Sequence, residues 1–278
     1  MNFGLIIVKL SGGLGNQLFQ YFFGQYLSQR TQHEVKYDLQ TNLEIDYFTP
    51  RDLGIQKLGF ELEFANSIEI KAVKKYTTGY LSRIERKLIQ KAPFLNSRYT
   101  VENGDVDRYL EIKEMTGIYY FDGYWQSFRF INELSPVSIK IMDLSENLLD
   151  VLKYIQSTNS VSIHIRRGDY LSVKENTEIF AQCGLDYYHK SINYFENTYG
   201  NITYFVFSDD IDWTKKHFIG DNFVFIDGNP AEIDMFLMSN CKHNILANST
   251  FSWWGAWLNT NSNKQIIAPK DWYVSKLN

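Results

Sequence analysis

The sequence predicts an α/β fold in which strands alternate with helices, giving a parallel sheet covered on both faces. Two observations carry this. Short apolar runs of strand length alternate along the chain with segments of helical spacing. The first run, Leu5 to Leu10, breaks at Ser11-Gly12-Gly13-Leu14-Gly15-Asn16 and resumes as Leu18, Phe19, Phe22, Phe23, Tyr26 and Leu27 at helical intervals. Strand, Gly-rich turn and helix are the opening of an α/β unit.

Residues 31–120 show no clean period. Within them Arg83 to Lys91 is basic, carries Leu81, Ile84 and Leu88 on one face, and reads as a surface helix. The second half is clearer. Ser145 to Ile155 predicts a helix, Ser160 to Arg166 a strand, and Tyr187 to Tyr199 a helix. Tyr204 to Ser208 and Phe223 to Asp227 predict strands, Ile233 to Ser239 a helix, and Asn244 to Ala247 a short strand. Trp253 to Leu258 starts a helix, and Ile266 to Ala268 is a last strand. Regularity improves after Pro136, so two parts are expected, residues 1–136 and 137–278.

Composition bounds the function. At 278 residues, 44% hydrophobic and 22% charged, the chain is globular rather than disordered. A net charge of −4 argues against a protein that coats nucleic acid. Cys183 and Cys241 are too few for a disulfide framework, and no Cys/His cluster suggests zinc. The N-terminus lacks a basic lead, and no run approaches the roughly 18 apolar residues of a spanning helix. A soluble, cytoplasmic protein is expected, with contact to the inner membrane face left open.

Four motifs carry chemistry. His164-Ile165-Arg166-Arg167-Gly168-Asp169-Tyr170 sits at the carboxyl end of a predicted strand, where open α/β sheets bind ligands. Its two arginines offer forked donors that suit a phosphate; the alternative is a surface ion pair. Asn248-Ser249-Thr250-Phe251-Ser252 opens a helix with hydroxyls and unpaired N–H groups, an anion site or a cap. Gly12-Gly13-Leu14-Gly15-Asn16-Gln17 lets the backbone approach a ligand but lacks the full dinucleotide fingerprint. Ser208-Asp209-Asp210-Ile211-Asp212 contains a DxD pattern, read as capping and ligand-orienting in preference to metal binding.

Together GGLGNQLFQY at 12–21, HIRRGDY at 164–170, FSDD at 207–210 and NSTFSWWGAWLN at 248–259 resemble the bacterial α-1,2-fucosyltransferases. The resemblance runs from near residue 5 to near residue 273 and is poorest over roughly 40–115. It implies inverting, metal-independent transfer from GDP-β-L-fucose to the 2-hydroxyl of a terminal β-galactoside, an oligosaccharide or a glycolipid, in O-antigen or related glycan synthesis. It implies no cofactor and a GT-B architecture, two Rossmann-like domains facing across a cleft. Residues 1–136 would take the acceptor and residues 137–278 GDP-fucose.

The same resemblance assigns roles. Arg166 contacts the β-phosphate and the departing oxygen, and His164 the nucleoside side of GDP. Ser249, Thr250 and Phe251 hold the diphosphate, with Phe251 near the base or sugar. Asn16 lies near the reacting centre, and Asp169 is the general base or a buttress for the arginines. Gly13, Gly15, Gln17, Arg167, Gly168, Ser208, Asp209, Asp234, Asn248 and Ser252 complete the expected binding set. Two other readings stay open: a metal-dependent nucleotide-sugar transferase using Asp210 and Asp212, and a non-catalytic carbohydrate-binding module with aromatic platforms.

Overall fold

A computed structural model describes residues 4–39, 53–112, 115–134, 137, 139–141, 144–168 and 181–274. The chain divides into two compact units, Met1–Val137 and Ser138–Asn278.

In the first unit β1 (Leu5–Lys9), β2 (Glu34–Asp38), β3 (Tyr99–Val101) and β4 (Ile118–Asp122) form a parallel sheet in the order β2-β1-β4-β3. The helices are α1 (Leu14–Thr31), α2 (Ser67–Lys71), α3 (Gly79–Lys91), α4 (Asp107–Leu110) and α5 (Phe128–Asn132). β1 is buried throughout, and its side chains sort by parity. Ile6 and Val8 pack with Phe23, Tyr26 and Leu27 of α1, while Leu5 and Ile7 pack with Ile70 of α2 and Ile89 of α3. Phe23 alone meets Phe121, Trp125 and Phe130, lying parallel to Trp125 at 4.1 Å. Burying a side chain of that size stabilises by roughly 1.5–3 kcal/mol, so the aromatic run in α1 fixes the helix against the sheet.

The carboxyl ends of β1, β2 and β4 carry Lys9, Asp38 and Asp122, all buried. They are tolerated because they are paired. Asp122 takes Lys9 Nζ at 3.5 Å, Arg86 Nε at 3.3 Å and the Tyr99 hydroxyl at 3.1 Å. The Tyr120 hydroxyl donates to Asp38 at 2.6 Å, and Lys74 Nζ lies 4.7 Å from the Tyr120 ring centre. Burial pushes the Lys74 amine below its ordinary range, and the arginine and lysines hold Asp122 below the usual carboxylate range against burial, which acts the other way.

The second unit runs α6 (Glu146–Ser157), β5 (Asn159–Ile165), α7 (Leu185–Tyr199), β6 (Ile202–Ser208), α8 (Ile211–His217), β7 (Phe223–Ile226), α9 (Ala231–Asn240), β8 (His243–Ile245), α10 (Thr250–Trp257) and β9 (Ile266–Ile267). Its parallel sheet has the order β7-β6-β5-β8-β9. Val161, Ile163 and Ile165 pack on Tyr188, Ile192 and Phe195 of α7; Phe205 and Phe207 face α6 and α9 through Ile155, Leu237 and Met238. Helices therefore cover both faces; β6 reads as a near-continuous apolar strand for that reason, while β5 alternates Val161, Ile163 and Ile165 with the buried Ser160, Ser162 and His164. β8 is locked beside β5 by buried amides: Asn244 donates to Ser162 Oγ at 2.7 Å and to the Met238 carbonyl at 2.9 Å, and Asn259 donates to Asn244 Oδ1 at 2.8 Å. Gly255 lets α10 close on α9, since a Cβ there would meet Met238 Cε at 2.9 Å.

Candidate active site

In each unit the strand order reverses at one place. In the second unit β6 and β7 lie on one side of β5, while β8 and β9 lie on the other, so the crevice of an open parallel sheet falls at the carboxyl ends of β5 and β8. The chain leaves β5 as Arg166-Arg167-Gly168 and leaves β8 as Leu246-Ala247-Asn248-Ser249. The two strongest motifs of the sequence thus flank one reversal point.

Asp209, just beyond β6, organises the first of them. Its carboxylate accepts the Arg167 N–H at 2.8 Å and the Gly168 N–H at 3.0 Å, and pairs with Arg166 Nη1 at 3.1 Å. Gly168 eases that approach, because a Cβ would lie 2.8 Å from Asp209 Oδ2 and push the carboxylate aside. Arg167 lies with its guanidinium carbon 3.7 Å from the Trp213 ring centre and gives Nε to Asp210 Oδ2 at 3.2 Å. Asp210 also caps α8 through Trp213 N–H at 3.2 Å, and its own N–H goes to Ser208 Oγ at 3.0 Å. One Asp210 oxygen caps α8 and the other takes Arg167 Nε. Asp209 and Ser208 serve the same turn.

His164 stands at the end of β5 with its ring 5.2 Å from Phe251 and Nδ1 2.5 Å from Ser252 Oγ. The Ser252 hydroxyl accepts the Ala247 N–H at 3.1 Å. A hydroxyl that donates to Nδ1 holds the ring proton on Nε2. Burial, reinforced by the Arg166 charge, drops the imidazolium pKa to about 3, which favours the neutral ring in the free protein. Tyr188 fixes the same strand end, its hydroxyl donating to the His164 carbonyl at 3.2 Å.

The NSTF run divides its work. Ser249 caps α10 by accepting the Phe251 N–H at 3.3 Å, and Thr250 and Phe251 form the first turn, half-buried. Asn248 is 2% exposed; its amide donates to the carbonyls of Ala181 and of Trp272, the latter at 3.1 Å. Asp234, in the first turn of α9, takes the Asn229 amide at 3.1 Å, and burial raises its pKa to about 7.

In the first unit β2 lies on one side of β1, while β4 and β3 lie on the other, so the reversal falls between β1 and β4. Gly12 takes φ +75°, in the left-handed region, and Gly13 forms the N-cap of α1 with open space where a side chain would be. Asn16 is the third residue of α1 rather than its cap, and its Oδ1 accepts from Gln126 Nε2 at 3.0 Å. Gln126 sits in the turn after β4, which Glu102 holds by accepting the Tyr124 N–H at 2.7 Å and the Trp125 N–H at 3.1 Å. Trp125 has φ +55° in that turn, strain that the carboxylate and the Phe23 stack support. Gln20 ties the two turns, reaching Ser11 and the Gly123 carbonyl at 2.9 Å.

Three of the expected binding residues lie inside the fold. Gln17 is 2% exposed and gives its amide to the Gly12 carbonyl at 3.1 Å. Asn248 and the fully buried Ser252 likewise spend their polar groups on the fold. A turn that presents backbone to a ligand needs its own carbonyls and N–H groups satisfied from behind; Gln17 and Ser252 do that for Gly12 and Ala247, while Asn248 ties its turn to the carbonyls of Ala181 and Trp272. Gly15 is buried in α1. Asp169 lies outside the described residues. Sequence reasoning missed Gln126, Glu102 and Trp213; no local motif marks them, because each is brought to its partner by the fold.

Residues 5–278 match the family described as Glycosyl transferase family 11. The chain is 36% identical to an "Alpha-1,2-colitosyltransferase" of Escherichia coli, over 97% of this chain and 92% of that one. It is 29% identical to the "O-antigen biosynthesis glycosyltransferase WbnK" of Escherichia coli, over 95% and 94%. A "Galactoside 2-alpha-L-fucosyltransferase Sec1" of Mus musculus is 28% identical over 50% of this chain and 41% of its own.

Proposed function

Since the chain belongs to glycosyl transferase family 11, we propose that it moves L-fucose from GDP-β-L-fucose to the 2-hydroxyl of a terminal β-galactoside, with inversion, in the synthesis of an O-antigen or related glycan. The observation that carries this reading is the pairing of Arg166-Arg167 and Ser249-Thr250 across the β5/β8 reversal, a place and a chemistry suited to a diphosphate.

The acceptor oxygen attacks C1 of fucose from the face opposite the nucleotide. The C1–O bond to the β-phosphate breaks, and its electron pair stays on GDP. Arg166, aimed by Asp209, neutralises the charge that grows on that oxygen. His164 offers its Nε2–H towards the nucleotide, and Thr250 with the N-terminus of α10 takes phosphate oxygens. Asp234 suits the guanine edge, whose N–H groups would satisfy its carboxylate. Asn16, held by Gln126, orients the acceptor hydroxyl. The acceptor proton passes to a carboxylate, with Asp169 the candidate nearest in sequence, or to water. The first unit carries the acceptor and the second GDP-fucose, and no metal takes part.

The 36% identity to a colitosyltransferase favours a second reading, with the 3-deoxy counterpart of fucose as the transferred sugar. Incubation with GDP-fucose or GDP-colitose and a panel of galactosides, with and without EDTA, separates them. An α-1,2-fucoside by NMR, formed equally with EDTA, supports the first reading. Colitoside alone supports the second, and EDTA-sensitive turnover overturns the metal-free mechanism.

A further inference from the structure

The segment from residue 71 to 98 holds eight lysines and arginines and one acidic residue, Glu85, in a chain of net charge −4. Glu85 is turned inward, accepting the Lys75 N–H at 2.9 Å and the Tyr76 N–H at 3.0 Å. α3 is attached to its unit through Ser82 and Ile89, its buried residues. The opposite side is unusual for a helix face in contact with water. Tyr80 is 76% exposed, Leu81 50% and Leu88 53%, and the short 3-10 turn after the helix ends on Phe94 at 82% and Leu95 at 59%. Alongside this apolar row Arg83, Lys87 and Lys91 form a second row at four-residue intervals, all exposed.

From this face we infer that the protein docks on an anionic lipid bilayer, with Tyr80, Leu81, Leu88, Phe94 and Leu95 entering the headgroup–acyl boundary and the basic row lying on the lipid phosphates. Parallel apolar and basic rows on one short helix are the arrangement that lies in a membrane interface. The lysine stems lengthen the apolar contact while their ammonium groups stay at headgroup level. A nucleic acid would use the basic row but leave Phe94 and Leu95 in water. A second copy of this chain meeting it face to face would set like charges against each other. Among the described residues no helix is long and apolar enough to cross a membrane, so the contact is peripheral. The inference stands on this surface alone and does not depend on the sugar donor.

The test uses the full chain in flotation with vesicles of phosphatidylcholine alone or mixed with phosphatidylglycerol. Binding is expected to be at least about tenfold tighter on the anionic vesicles and to weaken as salt is raised. Phe94→Ser/Leu95→Ser and Arg83→Glu/Lys87→Glu/Lys91→Glu should each abolish flotation while thermal unfolding and turnover of soluble substrates stay unchanged. Equal binding to neutral vesicles, or anionic binding that survives both variants, overturns the inference. So does no binding to either vesicle, or a dimer in light scattering that Phe94→Ser/Leu95→Ser dissolves. Salt-sensitive binding to RNA in place of vesicles overturns it as well.

Discussion

Ser252 Oγ lies 2.5 Å from Nδ1 of His164, and neither residue is more than 5% exposed. The hydroxyl takes the Ala247 N–H on its other side, so one side chain joins the end of β5 to the turn after β8. Ser252 is placed to act through the histidine, by biasing which ring nitrogen carries the proton. Ser252→Ala is expected to weaken GDP binding about tenfold and to lower thermal stability, since a buried N–H left unpaired costs about 1–3 kcal/mol. Imidazole 15N shifts should change from a single Nε2–H tautomer to a mixture. Unchanged shifts would assign Ser252 a packing role alone.

Asp209 aims Arg166 and holds two N–H groups of the same turn. Asp209→Asn keeps the shape but loses the charge and one acceptor. Steady-state kinetics should show kcat/KM lower by about tenfold to a hundredfold, the scale on which a misplaced group costs rate. Wild-type kinetics would place the organisation of the turn elsewhere.

Asn16 and Gln126 share a hydrogen bond in the first unit. Asn16→Ala should lower kcat strongly with little change in the Kd for GDP, because positioning acts on the chemical step. Gln126→Ala should reproduce part of that loss. Asn16 is not the cap of α1, so Asn16→Ser is expected to fold normally and remain slow; a stable, fully active Asn16→Ser would end the positioning role.

Asp234 carries a pKa raised to about 7 by burial. Below pH 7 the protonated form is favoured in the free protein, so this group stabilises the fold at low pH and ceases to as pH rises through 7. Donors on guanine would favour the carboxylate. GDP affinity is therefore expected to fall below pH 7, by at most about tenfold per pH unit for one proton. Asp234→Asn should flatten that profile and raise the Tm of the free protein at pH 8. Titration calorimetry across this range checks the affinities, and thermal unfolding at pH 8 checks the Tm.

Much of the second unit was legible in the sequence, because β5, β6, α7 and α9 bury apolar residues at regular intervals between turns. The motifs at 164–168 and 248–252 sit at strand ends, where the sequence placed them. The first unit was harder for a physical reason. Lys9, Asp38, Lys74 and Asp122 are buried as a paired network, so the exclusion of charge that marks a core is absent there. β3 has three residues and β2 begins with an exposed glutamate, too little for a period. The side chains that hold the turns, Glu102 and Gln126, act across the sheet and leave no local pattern. Gln17, Asn248 and Ser252 belonged to the right motifs but face inward.

The β5/β8 reversal is expected to hold a nucleoside diphosphate through its β-phosphate, and dissociation constants for GDP and GMP, measured on the wild type and on Arg166→Lys, check this. A lysine keeps the charge but not the forked contact, so the wild type should prefer GDP by about tenfold or more and the variant should lose most of that preference. Turnover of the variant should fall by about 10²–10³. Equal constants for GDP and GMP in the wild type, or an Arg166→Lys variant with the preference and turnover intact, would contradict the account.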